Sequence, residues 1–129
     1  MRIETTVRDI RALIQLAELD AHARELPAET YQSLREASRR RVARALLEPY
    51  QARLDGGQRP AIVAIERASC SGCHLRLPTM VEAQARRSPA VHSCPHCRRM
   101  VYAPELLAAK DSREAAPHRV AEASTGKRS

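Results

Sequence analysis

ASCSGCHLRLPTMVEAQARRSPAVHSCPHCRRMVY, residues 68–102, holds all four cysteines of the chain as two close pairs, Cys70 with Cys73 and Cys94 with Cys97. Twenty residues separate the pairs. Two residues between cysteines let one tight turn aim both sulfurs at a single ion. Two such turns supply the tetrahedral thiolate shell that Zn²⁺ accepts. The reading is one structural Zn²⁺ with Cys70, Cys73, Cys94 and Cys97 as ligands and no position left for water. The same thiolates suit an iron–sulfur cluster as a lesser alternative. CSGCH, ending in His74, also matches a haem-attachment motif, but that reading needs export and leaves CPHC unexplained. His92 lies just before the second pair and His96 inside it, as spare ligands to a shell that four cysteines already fill.

Working outward, residues 61–65 (AIVAI) and 100–102 (MVY) are short β-prone runs on either side of the cysteine pairs, and residues 78–87 between the pairs have helical character. Strand, knuckle, excursion, knuckle, strand is the order of a zinc ribbon. Residues 104–110 (PELLAAK) add a turn or two of helix. A segment this size, in a chain with no Trp, no Phe and three Tyr, has too few bulky side chains to fold unaided. Metal binding contributes on the order of 10 kcal/mol in sites of this kind.

The N-terminal half reads as helix. Ile3, Val7, Ile10, Ile14, Ala17 and Ala21 recur at helical spacing, with Leu13, Leu16 and Leu19 widening the face and Thr5 or Thr6 as cap, which predicts a helix over 4–25. Leu26-Pro27 stops it. Residues 28–54 form the second expected helix, with Tyr31, Leu34, Ser38, Val42, Ala45 and Leu46 as its apolar face and Pro49 kinking or ending it near Glu48. Asp55-Gly56-Gly57 is a break.

The expected fold class is therefore mostly α with a small β zinc ribbon: an antiparallel helical hairpin over 1–57, a four-Cys ribbon with a short terminal helix over 58–110, and a disordered tail over 111–129. Thin Ala-rich seams in the hairpin also permit a homodimer. Glu18 and Asp20 fall near the hairpin tip, either as surface charge or as acidic groups offered to a partner.

The net charge is +7. Residues 58–110 carry 8 basic and 3 acidic side chains, against 10 and 9 in residues 1–57. The excess thus lies on the ribbon, where Arg76, Arg86, Arg87, Arg98 and Arg99 make a candidate contact surface for phosphates or acidic side chains. With Tyr102 as the one nearby aromatic, no stacking platform for single-stranded nucleic acid is evident. Four glycines in the chain leave no Gly-rich phosphate loop, and no nucleophile–base set can be assembled. The expectation is a binding protein, not an enzyme. No signal peptide or membrane span is read, so a reducing cytoplasm is expected.

Residues 61–107 resemble the C4-type zinc-ribbon family of bacteria. The matching features are Cys70, Gly72, Cys73, Leu77-Pro78, Cys94-Pro95, Cys97, Arg99, Met100-Val101 and Tyr102. The front half is similar to that family's coiled-coil hairpin, though shorter, and Arg98 stands where the family tends to have Gly. A weaker resemblance is to DksA/TraR-type regulators, which also join a helical hairpin to a four-Cys finger. The resemblance implies a non-enzymatic regulator or adaptor whose partner is RNA polymerase, a sigma factor of the RpoN type, or a flagellar or secretion component. DNA or RNA binding by the basic ribbon is the alternative.

Overall fold

The computed structural model describes residues 2–108. The expected tail, residues 111–129, lies outside them, as do Ala109 and Lys110 of the expected terminal helix; residues 104–108 are helical.

A short strand, β1 (Arg2–Glu4), precedes the first helix, α1 (Val7–Ala21). Thr6 is the cap: its extended backbone turns the chain and its hydroxyl accepts from the Asp9 amide at 3.1 Å. A 3₁₀ turn, Ala23–Glu25, leads to α2 (Ala28–Arg39), which begins directly after Pro27. The single second helix expected over 28–54 is two helices. The chain breaks at residues 40–43 and resumes as α3 (Arg44–Asp55). The break brings Val42 into the core, 7% exposed, which a straight helix carrying only half-buried and exposed side chains would not do. Pro49 neither ends nor begins a helix but sits inside α3. Losing its N–H costs about 3 kcal/mol in a helix interior. Leu46, Tyr50 and Leu54, four residues apart and all buried, hold α3 together around it.

Five strands form one mixed sheet, in the spatial order β1, β4 (Ala90–Ser93), β5 (Met100–Tyr102), β2 (Ile62–Glu66) and β3 (Ser69–Cys70). The expected β runs become β2 (Ile62–Glu66) and β5 (Met100–Tyr102), which pair in parallel. β3 (Ser69–Cys70) returns antiparallel to β2, and β4 (Ala90–Ser93) lies antiparallel to β5 after the α4 helix (Thr79–Arg87). β1 completes the edge, with Ile3 opposite Val91. The chain's start is thus a strand on the ribbon's sheet, not the first turn of a helix.

The break at Gly56-Gly57 separates no cores. One apolar cluster joins Val7, Ile10, Leu13 and Leu16 of α1 and Leu46, Tyr50 and Leu54 of α3 to Ala61, Ile62, Val91 and Met100 of the sheet. A second, smaller cluster of Ile65, Leu77, Ala85 and Val101 packs around Cys70 and Cys94. The buried stripe of α1 is also rotated from the expected one: Leu13, Leu16 and Asp20 are inside, and Ala21 is exposed.

Asp20 is the correction that matters most for function. It is 4% exposed and accepts from Tyr31 Oη and Tyr50 Oη, each at 2.6 Å, and from Arg35 Nε at 2.8 Å. Arg35 Nη2 reaches its second oxygen at 3.2 Å and Gln51 at 2.7 Å. Burial raises the carboxyl, but the hydrogen bonds from Arg35, Tyr31 and Tyr50 outweigh it and hold Asp20 below its ordinary value. It is a node joining α1, α2 and α3, not an acidic tip on offer to a partner. Glu18 alone remains exposed there.

Candidate metal centre

The four cysteine sulfurs lie within 4.8 Å of one another. Cys70 Sγ is 3.7 Å from Cys97 Sγ, and Cys73 Sγ is 3.7 Å from Cys94 Sγ. A tetrahedron of Zn–S bonds of ~2.3 Å has edges of about 3.8 Å, which these two separations match. Each short contact joins one pair to the other. The site is therefore a crosslink between the two turns and not two separate dithiols.

The two turns are copies of one backbone design. Cys70 N–H donates to Leu75 O at 3.0 Å, and Cys94 N–H donates to Arg99 O at 2.9 Å. His74 N–H returns to Cys70 O, and Arg98 N–H returns to Cys94 O. Gly72 N–H and His96 N–H point at Cys70 Sγ and Cys94 Sγ at 3.3 and 3.4 Å. Such amides offset the negative charge that four thiolates keep after one divalent ion is counted. Both turns close through a positive φ, 66° at His74 and 70° at Arg98. The residue in the glycine-favouring position is thus non-glycine twice, at a cost of roughly 1–2 kcal/mol each.

Depth distinguishes the four ligands. Cys70 and Cys94 are fully buried, while Cys73 and Cys97 are half-exposed. Burial drives the Cys70 thiol up to about 12. Burial also pushes Cys97 upward, but the amide and guanidinium of Arg99 and the adjoining thiols bring it down to about 7. A bound divalent cation deprotonates all four outright.

The five predicted arginines do not form one free surface. Arg99 is turned inward: its Nε donates to Pro60 O at 2.8 Å, and its side chain lies so close over Gly72 that a Cβ there would stand 2.6 Å from Cδ. Gly72 is therefore needed for the close approach of a side chain. Arg86 pairs with Glu82 at 2.9 Å and lies 4.0 Å from Glu105. Arg76, Arg87 and Arg98 are exposed. His74 and His96 are exposed as well, and His96 Nε2 meets Arg76 O at 3.3 Å, a second tie between the turns. His92 is 2% exposed within β4.

Two residues that carry no recognisable motif, one in α3 and one just after it, brace the second turn. Arg53 Nε of α3 donates to Arg98 O at 2.6 Å, and Gln58 Nε2 donates to Cys97 O. They lie 45 and 39 residues from their partners. No local pattern announces such contacts.

Residues 69–101 match the sequence model of the C4-type zinc ribbon domain family. Among curated proteins, none matches the chain. Two solved structures resemble it. One is the HP0958 protein of Helicobacter pylori, with TM-score 0.52 and 25% identity over 59% of this chain and 33% of that one. The other is CT398 of Chlamydia trachomatis, with TM-score 0.54 and 28% identity over 57% of this chain and 31% of that one. The chain thus matches about a third of the length of either protein.

Proposed function

We propose that this zinc-ribbon chain is a non-enzymatic adaptor that binds a protein partner. The sulfur geometry carries the reading. Four convergent thiolates fill the coordination shell of one Zn²⁺, so an ion held there has no place for water or substrate and serves to stiffen two turns. On this reading the ribbon is the rigid end, and α1 with α2, as an antiparallel hairpin, is the presenting arm. The sequence resemblance points to a bacterial cytoplasmic setting and to RNA polymerase, a sigma factor or a secretion component as partner. No helix among the described residues is long and apolar enough to cross a membrane.

Nucleic-acid binding is the second reading, favoured by the exposed side chains of Arg76, Arg87 and Arg98. An affinity pull-down from lysate separates the two, run with the intact chain and with Cys94→Ser, before and after nuclease. The adaptor reading expects a protein recovered by the intact chain, indifferent to nuclease and lost with Cys94→Ser. Equal recovery by both chains removes the ribbon from recognition. Recovery abolished by nuclease and by 0.5 M salt replaces the adaptor with the nucleic-acid reading. X-ray absorption should find four sulfur neighbours at the metal, and a mixed sulfur and oxygen shell would reopen an enzymatic role.

A further inference from the structure

An open groove runs along one side of α1. Its N-terminal part, about 710 Å³, is lined by Thr6, Arg8, Asp9, Arg11, Gln15 and Arg41. Sharing Arg11 and Gln15, it continues into a part of about 480 Å³ lined by Ile14, Glu18, Pro104 and Leu107. One end of the groove is therefore cationic, with guanidiniums from α1 and from the α2–α3 connection. The other end is apolar, between α1 and the helical residues 104–108.

The cations are placed for a ligand more than for the fold. The guanidiniums of Arg8 and Arg41 have no hydrogen-bond or ion-pair partner among the described residues. Both are exposed. Arg11 is anchored at the junction of the two parts, its Nη2 donating to Leu107 O at 3.0 Å. The one carboxylate at the cationic end, Asp9, accepts from the hydroxyls of Thr5 and Thr6 at 3.3 and 3.1 Å. Forked guanidiniums recognise carboxylate and phosphate alike, so the rest of the groove decides between them. A phosphate strand laid along it would run past Asp9 and end on Glu18, repelled at both, and would leave Ile14, Pro104 and Ala108 uncovered. A peptide with one acidic and one apolar side chain satisfies both ends.

We propose that this groove binds a short segment of the partner protein, carrying an Asp or Glu at Arg8, Arg11 and Arg41 and an apolar side chain at Ile14 and Pro104. Arg8 and Glu18 stand ten residues apart on the helix, ~15 Å, which an extended peptide covers with about five residues. The acidic and apolar side chains then lie about two residues apart in the peptide. The inference rests on the adaptor reading and names the surface and the chemistry it would use.

The test selects binders from a displayed library of random decapeptides against the full zinc-loaded chain. The enriched peptides are then measured by fluorescence anisotropy on wild type and on the Arg8→Glu/Arg41→Glu double variant. Zinc content and melting temperature of the variant are expected to match wild type, because both side chains are exposed and neither makes a hydrogen bond or ion pair among the described residues. The proposal expects peptides sharing an acidic residue with an apolar one about two positions away, and binding weakened about tenfold or more by the double reversal, as two exposed ion pairs allow. Enriched peptides that bind both chains equally overturn the groove and leave the adaptor reading standing. An empty selection, together with an oligothymidylate probe that binds with steep salt dependence, overturns both.

Discussion

The sulfur cluster and the buried carboxylate do the same job in opposite halves of the molecule. Each is a polar node that ties together segments distant in the chain. The cysteines join the turn after β3 to the turn before β5, and Asp20 joins α1 to Tyr31, Arg35 and Tyr50 on the next two helices. They differ in what neutralises the buried charge. At the sulfurs a divalent cation must arrive from outside. At Asp20 every compensating group is part of the chain: two phenols and one guanidinium. A node completed by an external ion has two states, whereas one completed internally folds with the rest. The ribbon should therefore depend on metal and the helical node should not.

The largest expected effect breaks the first node. Chelation of the metal, or Cys94→Ser, should remove on the order of 10 kcal/mol from the ribbon. In hydrogen exchange the amides of Gly72, His74, His96 and Arg98 should lose protection first. Persistence of that protection in metal-free protein would mean that the bracing by Arg53, Gln58 and Arg99 holds the turns without an ion.

Asp20→Ala comes next, at about 3–5 kcal/mol, because it leaves a guanidinium and two hydroxyls without their acceptor in a largely buried site. Urea titration measures the loss, and elemental analysis should still find one zinc per folded chain. Loss of zinc in this variant would show that the two nodes are one cooperative unit through their shared core.

Acid should separate the nodes by pH. Thiolates compete with protons for the metal, so zinc leaves as pH falls. Asp20 titrates lower: its folded value lies below 3.8, so its contribution is complete above the unfolded value and disappears as pH drops through the folded one. Far-UV dichroism with a zinc dye as reporter should show metal release first and helix loss later. Helix loss at a higher pH than metal release would reverse the comparison.

The smallest effect lies within the first node. Arg98→Gly and His74→Gly each relieve a positive φ and should stabilise by about 1 kcal/mol or less, part of the gain being returned through the freer unfolded chain. Thermal melting of zinc-loaded protein checks the sign. Destabilisation by Arg98→Gly alone would assign its side chain a structural role.

How far each node could be read beforehand follows from distance along the chain. Spacing within CSGC and CPHC fixes the turns locally, whereas the positive φ at Arg98 is legible only through the resemblance to a family that tends to have Gly there, and the one at His74 carries no such signal. A cap at Thr5 or Thr6, the break at Gly56-Gly57, and β2 and β5 are legible from residues close in the chain, whereas α1 ends at Ala21, short of the expected stop at Leu26-Pro27. Asp20 carries no such signal. A carboxylate on a helix reads as surface charge unless one knows that Tyr31, Arg35 and Tyr50, eleven to thirty residues on, will close over it. Arg99 shows the converse: beside a basic knuckle it reads as a contact residue, yet Pro60 and Gly72 draw it inward.

By itself the sequence determined the ligand set, the two knuckles and the first helix, since these depend on groups a few residues apart whose geometry the backbone fixes. The tertiary structure alone decided that the second helix breaks at residues 40–43, that β1 joins the ribbon's sheet, that one core crosses Gly56-Gly57, and that Asp20 is buried. Those outcomes depend on which apolar surfaces meet after long loops close. That is settled by the free energy of the whole packing and not by any single stretch of chain.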